Sequence, residues 1–290
     1  MAAVTAALVK ELRDRTGLGM MDCKKALQEA DGDLEQAIET LRKSSALKAA
    51  KKAGRTAADG LLGIRVSDDA RKAAMLEVNI ETDFAALNEK FIAYVEKVLN
   101  AAFDQWQADV AELLAGELEA ERETLVQEIG ENITVRRIAL VESEDGHISH
   151  YLHGDRRKGT LVELVGGDDE LGKDLAMHIT AINPMVVSAE DVPAETLAKE
   201  REIFAAQASE SGKPADIVEK MVEGRVRKFL AEVSLLDQPF VKDPNLKIAG
   251  LLSDKKAQCR GFVRFEVGEG IETEDTDFAA EVAAQVKGQD

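Results

Sequence analysis

The chain has 290 residues, enough for two domains or for one core with appendages. Aromatics are only 4% of it, so its cores are expected to be built from Ala, Leu, Val and Ile. Residues 1–55 hold 11 Lys+Arg against 8 Asp+Glu, so the net charge of −18 divides into +3 there and −21 over the rest, a field that repels phosphate backbones and excludes nucleic acid from the body of the protein.

Thr5 is placed to cap a first helix with Leu8, Val9 and Leu12 on one face, and Gly17 to end it in the left-handed conformation. Asp22 is expected to cap a second helix carrying Cys23, Ala26 and Leu27, and Asp33 a third carrying Leu34, Ala37, Ile38 and Leu41. Residues 5–42 thus read as a small three-helix unit. Leu18-Gly19-Met20-Met21 is an apolar turn loosened by glycine; its methionines either cap the little core or form an adaptable contact surface. From Arg42 to Arg55, basic residues among alanines and serines read as a solvated, partly helical tether, with RNA contact as the lesser alternative.

After Asp59-Gly60 the pattern changes to alternation. Leu62–Val66 and Ala73–Val78 read as strands joined by a turn at Ser67-Asp68-Asp69. Next comes Thr82-Asp83-Phe84-Ala85-Ala86-Leu87, at a strand-to-helix junction. An acidic residue and a bare aromatic there suit projection better than burial. A helix follows from Asn88 (Phe91, Val95, Val98, Leu99, Ala102), then an acidic helical segment from about Val110 to Ile129, broken by Gly130-Glu131-Asn132. Thr134–Val141 returns to strand character.

The following block echoes this one. Ile148–Leu152 and Gly159–Val165 form another strand pair, and Asp168-Asp169 leads into a helix with Leu175, Ala176 and Ile179. Leu76-Glu77-Val78 parallels Val162-Glu163-Leu164, which reads as an internal duplication of one α+β unit. Residues 194–231 form a helical hairpin: Leu197, Arg201, Phe204 and Ala208 on one stripe, and Ile217, Met221, Val222, Val226 and Phe229 on the other, turning at Ser211-Gly212-Lys213-Pro214. A short helix at Lys247–Leu252, a strand at Cys259–Val267 and a last amphipathic helix (Phe278, Val282, Val286) complete the chain.

No constellation for catalysis or metal binding assembles, so the chain is not expected to be an enzyme. There is no Gly-rich phosphate loop, since Gly166-Gly167 precedes two aspartates, and no nucleophile elbow. His147, His150 and His153 lie at intervals of three, which on a strand places His150 opposite the other two. Cys23 and Cys259 read as buried reduced thiols. No apolar run approaches the roughly 18 residues of a membrane span, and the N-terminus lacks a signal-peptide layout, so a cytoplasmic location is expected.

A set of motifs runs in order along the chain: Leu8 through Arg13 with Thr16-Gly17, Gly19 through Leu27, and Lys51-Lys52-Ala53-Gly54. Glu77-Val78-Asn79 with Thr82-Asp83-Phe84, Ile129 through Ile133, Glu219 through Arg225, Gln238-Pro239-Phe240 and Arg264 through Gly270 follow. Together, over essentially the whole length, they resemble the bacterial elongation factor Ts family. The resemblance implies an α+β fold: a ubiquitin-associated-like three-helix bundle with its linker (1–55), a duplicated α+β core (56–141, then 142–183 with 232–264), an inserted antiparallel coiled coil (184–231) and a C-terminal helical module (265–290). It implies guanine-nucleotide exchange on elongation factor Tu, with neither cofactor nor direct nucleotide. By match, Thr82, Asp83, Phe84 and Ala85 are the stretch that enters the partner's GTPase domain and disturbs its magnesium and phosphate site. The bundle and the C-terminal module grip the same domain, which gives contact roles to Met20, Met21 and Phe278; His153 matches a contact histidine, and a second partner domain is touched. The coiled coil is open to self-association. Two residues depart from the family pattern: Ala85, where valine is usual, and Leu87, where a basic residue is usual. The alternative reading is a scaffold or ubiquitin-like-binding protein without exchange activity.

Overall fold

The computed structural model describes residues 4–210 and 214–272, a mixed helix-and-sheet fold. Helix α1 (Ala6–Thr16) starts at Thr5, whose hydroxyl accepts from the Leu8 N–H at 3.2 Å, and stops where Gly17 adopts φ 72°. With α2 (Met20–Glu29) and α3 (Leu34–Lys52) it buries Leu12, Leu18, Cys23, Leu27 and Leu41.

Two expectations fail in this region. Asp22 does not cap α2: Gly19 holds the cap position in extended backbone, so Met20 and Met21 already belong to the first helical turn. Residues 42–55 are not a tether either. On α3 the buried residues Ala37, Leu41, Ser45 and Ala49 recur every four positions, so one face runs unbroken from the bundle core onto the body. There the Ser45 hydroxyl donates to Gln127 Oε1 at 2.7 Å, while Gln127 Nε2 donates to Asp22 Oδ2 at 3.1 Å. The bundle is therefore seated.

The body begins with β1 (Asp59–Val66) and β2 (Lys72–Ile80), then α4 (Asp83–Ala86), α5 (Glu89–Gln105), α6 (Val110–Leu114), α7 (Glu117–Ile129) and β3 (Ile133–Glu142). The acidic segment expected as one helix is two, because Gly116 takes φ 101° between them. A second block follows with β4 (His147–Leu152), β5 (Lys158–Val165), α8 (Asp169–Ile182), α9 (Ala194–Ser209) and α10 (Ala215–Val233). The described chain closes with β6 (Pro239–Phe240), β7 (Asp243–Lys247), α11 (Ile248–Asp254) and β8 (Gln258–Glu266). Two three-stranded antiparallel sheets result, ordered β1-β2-β3 and β4-β5-β8, while β6 and β7 pair by themselves. In each, a hairpin feeds a helix and a later strand returns beside the middle one. Each carries a register slip at matching places, Glu77/Val78 and Glu163/Leu164. The division expected after residue 264 falls inside β8, whose end is part of the core.

The layers stack as helix, sheet, sheet, helix. Leu76, Val78 and Ile80 of β2 face Phe91, Val95 and Val98 of α5, while Val162 and Leu164 of β5 face Leu175 and Ile179 of α8. Between the sheets lie Leu62, Met75, Ile148, Leu161, Phe265 and Val267. This explains why the alternation of β2 does not mean one wet face. With both faces covered, Glu77 and Asn79 are fully buried.

Glu77 is paired accordingly. Its Oε1 accepts from Gly268 N–H at 2.8 Å, Asn79 Nδ2 at 3.0 Å and Arg136 Nη1 at 3.1 Å, and its Oε2 from Arg137 Nε at 2.5 Å. Arg137 also lies 4.1 Å over the Phe265 ring. Burial pushes this carboxyl up, but the Gly268 and Asn79 donors and the Arg137 charge outweigh it and hold it below its ordinary value.

Helices α9 and α10 pack through Ala208, Val222 and Val226, with Phe204 and Phe229 edge-on at 6.4 Å. Ile217 is off this seam and exposed; Val218, which is four residues before Val222, takes its place. Residues 211–213 of the turn, and Phe278, Val282 and Val286, lie outside the described residues. Cys23 and Cys259 are both buried, and burial raises the Cys259 thiol to about 12. We expect a maleimide to label neither cysteine at neutral pH until denaturant is added, as read by mass spectrometry; labelling of Cys259 in the native chain would contradict its burial.

Candidate functional site

Strand β2 ends at Ile80, paired with Ile133 of β3. Beyond that pair the two chains separate, one into α4 and the other back into α7, but side chains continue to join them. Glu131 Oε2 accepts from the Thr82 N–H at 3.0 Å, and its Oε1 accepts from the Thr82 hydroxyl at 2.8 Å. In the opposite direction, Glu81 Oε1 accepts from the Asn132 N–H at 2.6 Å. Two glutamates thus replace the missing ladder bonds.

Thr82 then caps α4, its Oγ1 accepting from the Ala85 N–H at 3.2 Å. At the other end Leu87 N–H returns to the Phe84 carbonyl and Asn88 N–H to the Ala85 carbonyl, which leads the turn into α5. Ala86 is buried and Ala85 half-buried against the α5 core, which leaves the other face of the turn outward. On that face Phe84 is 83% exposed and Leu87 72% exposed, and Asp83 beside them accepts from the Phe84 N–H at 2.8 Å. The two departures from the family pattern therefore lie on opposite sides: Ala85 packs inward and Leu87 adds apolar surface outward.

Met20 and Met21 are also exposed, on the first turn of α2. Neither belongs to the bundle core. Met20 lies near the α4 turn. A depression lined by Leu18, Gly19, Met20, Asp22, Gln127 and Glu128 adjoins one lined by Leu87, Asn88, Lys90, Glu128 and Ile129. Glu128 is common to both and is ion-paired to Lys90. The structure thus brings Met20 and the α4 turn to one face, with a charged pair between them. His153 is elsewhere. It is exposed in the β4–β5 turn, its Nδ1 3.3 Å from the Tyr151 hydroxyl, and that turn is held over β1 and α5 by Arg156 bonds to the Leu62 carbonyl and to Glu96. Phe278 lies outside the described residues.

Sequence reasoning missed Glu131, Glu128 and Lys90. Gly130-Glu131-Asn132 was legible only as a helix break, because a contact across 49 residues leaves no local periodicity. Its place among the family motifs was the one available signal.

The chain arranged this way matches known proteins along its length. The family model described as "Elongation factor TS" matches residues 81–269. Proteins named elongation factor Ts are similar to it throughout: one from Hahella chejuensis is 59% identical over 288 residues, covering 99% of this chain and 100% of the relative. Those from Marinobacter nauticus and Saccharophagus degradans are 58% and 57% identical, each over 284 residues covering 98% of both chains. With a family model over more than half the chain and relatives aligned end to end, this protein belongs to the elongation factor Ts family.

Proposed function

We propose that the chain is the guanine-nucleotide exchange factor of elongation factor Tu. The observation that carries this reading is the α4 tip: an aromatic ring 83% exposed beside a carboxylate, on a turn rooted at both ends. Phe84 shares that face with the outward Leu87, and contiguous exposed apolar surface is what marks an interaction site. Inserted beside the partner's magnesium and phosphate-binding loop, Phe84 and Asp83 displace groups that hold the diphosphate, and GDP leaves. Reciprocity follows: nucleotide weakens the grip of the exchange factor by the same factor, so incoming GTP releases it. Such a protein needs a surface and a wedge, with no acid, base or nucleophile, which is why we read it as a non-enzyme that works without cofactor or direct nucleotide.

Met20 and Met21 act in this reading as the second grip on the GTPase domain, supported by the exposure of both and by the place of Met20 beside the end of the α4 turn. His153, on the other sheet, contacts the partner's second domain, and Phe278 belongs to the C-terminal module that completes the grip. The N-terminal unit is read as ubiquitin-associated-like, α9 and α10 as a coiled-coil insertion that is a candidate for self-association, and the cytoplasm as the place of action. No helix among the described residues is long and apolar enough to cross a membrane.

The test is release of fluorescent GDP from elongation factor Tu with the chain at substoichiometric amount. Multiple turnovers of accelerated release are expected. Release no faster than the spontaneous rate would refute the proposal.

A further inference from the structure

We infer that Glu131 is the positioning residue of this wedge: its carboxylate, by holding both donors of Thr82, fixes the direction in which α4 presents Asp83 and Phe84. The inference rests on the exchange reading for its consequence, and on the structure alone for its geometry.

A helix of four residues cannot hold its own shape, because the cost of nucleation exceeds what one or two hydrogen bonds return. Neither can the exposed ring of Phe84 anchor it. What holds it is the inward packing of Ala85 and Ala86, two small side chains, the backbone bonds that lead its end into α5, and the root at Thr82. That root is over-determined. The hydroxyl proton of Thr82 goes to Glu131 Oε1 at 2.8 Å, which turns an oxygen lone pair toward the Ala85 N–H at 3.2 Å. The backbone N–H goes to the other oxygen of the same carboxylate at 3.0 Å. One side chain therefore sets both the φ/ψ start of the turn and the rotamer of its cap.

Glu131 is itself held. It follows Gly130, the cap of α7, whose carbonyl accepts from Lys52 Nζ at the end of α3. It precedes Asn132, whose N–H is tied to Glu81 and whose Nδ2 donates to the Arg55 carbonyl at 2.9 Å. The wedge thus takes its bearing from the junction of α3, α7 and β3 rather than from its own helix. Such preorganisation removes an ordering cost that would otherwise fall on the step that expels GDP.

The test uses the full chain with Glu131→Ala, alone and together with Phe84→Ala. Amide hydrogen exchange at Ala85, Ala86 and Leu87 is expected to quicken by about tenfold or more in Glu131→Ala, the scale of losing charge-assisted hydrogen bonds, with α5 amides unchanged. In GDP release, Glu131→Ala is expected to lower the maximal rate about tenfold and move the half-saturating concentration by no more than about twofold, the signature of a loss felt at the displacement step. In a chain that already lacks Phe84, Glu131→Ala is expected to cost nothing further, since it acts through that ring. Unchanged hydrogen exchange at the α4 turn would overturn the inference, as would a rate loss that multiplies with that of Phe84→Ala. Failure of the unaltered chain to release GDP would instead strike the exchange reading, and the hydrogen-exchange result would still decide the role of Glu131.

Discussion

Phe84→Ala is expected to slow GDP release from elongation factor Tu about 100-fold, the loss typical of an aromatic anchor inserted into a partner. Its own fold should hardly notice. The ring is 83% exposed, so truncation opens no cavity, and the change in unfolding free energy should stay within about 0.5 kcal/mol. The two measurements together discriminate. A large fall in stability would mean that Phe84 packs in solution and is no wedge. A rate within a few-fold of the parent would mean that the tip is not where exchange happens. Asp83→Asn separates charge from bulk, because the amide oxygen still accepts from the Phe84 N–H, the bond made by Asp83 Oδ1 at 2.8 Å. A smaller loss than that of Phe84→Ala is expected if intrusion of the ring dominates; the reverse order would place the effect in electrostatics at the magnesium site.

Glu77→Gln is expected to destabilise the chain by about 3–5 kcal/mol at neutral pH, the usual cost of breaking a buried ion pair from one side. The amide retains one oxygen for the Gly268 and Asn79 donors, but its NH₂ then faces Arg137 Nε, donor against donor. Both sheets feel this, because Arg137 also donates to the Glu266 carbonyl at 3.0 Å and covers Phe265. The pH dependence follows from the direction of the shift. The folded carboxyl lies below its ordinary value of 4.5, so its stabilisation is fully present above that value and is lost as pH falls through the lower, folded one. Urea midpoints of parent and variant should therefore converge in acid. A gap that stays constant down the acid range would show that the loss is one of packing and not of charge.

Much of this architecture can be read locally. Thr5, Gly17, Asp33 and Asn88 stand at helix ends where their side chains or backbone freedom dictate. The two hairpins follow from alternation, and the similarity of the two blocks was visible in Leu76-Glu77-Val78 and Val162-Glu163-Leu164 before their matching register slips. Local reading failed where a second layer intervened. Glu77 and Asn79 look like the solvent face of a strand until the second sheet covers them. Arg42 to Arg55 looks like a linker until α7 supplies a surface for Ser45 and Ala49. Charge-rich composition describes the faces a segment leaves in water and is silent about the one it buries.

For the site itself, sequence alone singled out the stretch that we propose as the probe. An aspartate and a phenylalanine between a strand and a helix, with no apolar period to join, have no core to enter, and composition left no catalytic task to assign them. Only the tertiary structure decided how that probe is held and what stands beside it. Glu131 reaches Thr82 across 49 residues, and Met20 comes to the same face through the seating of α3 on α7. A turn without the apolar period that burial requires stays outward, and a pattern can announce that lack. Direction is a property of contacts between distant segments, and those exist only once the chain has folded.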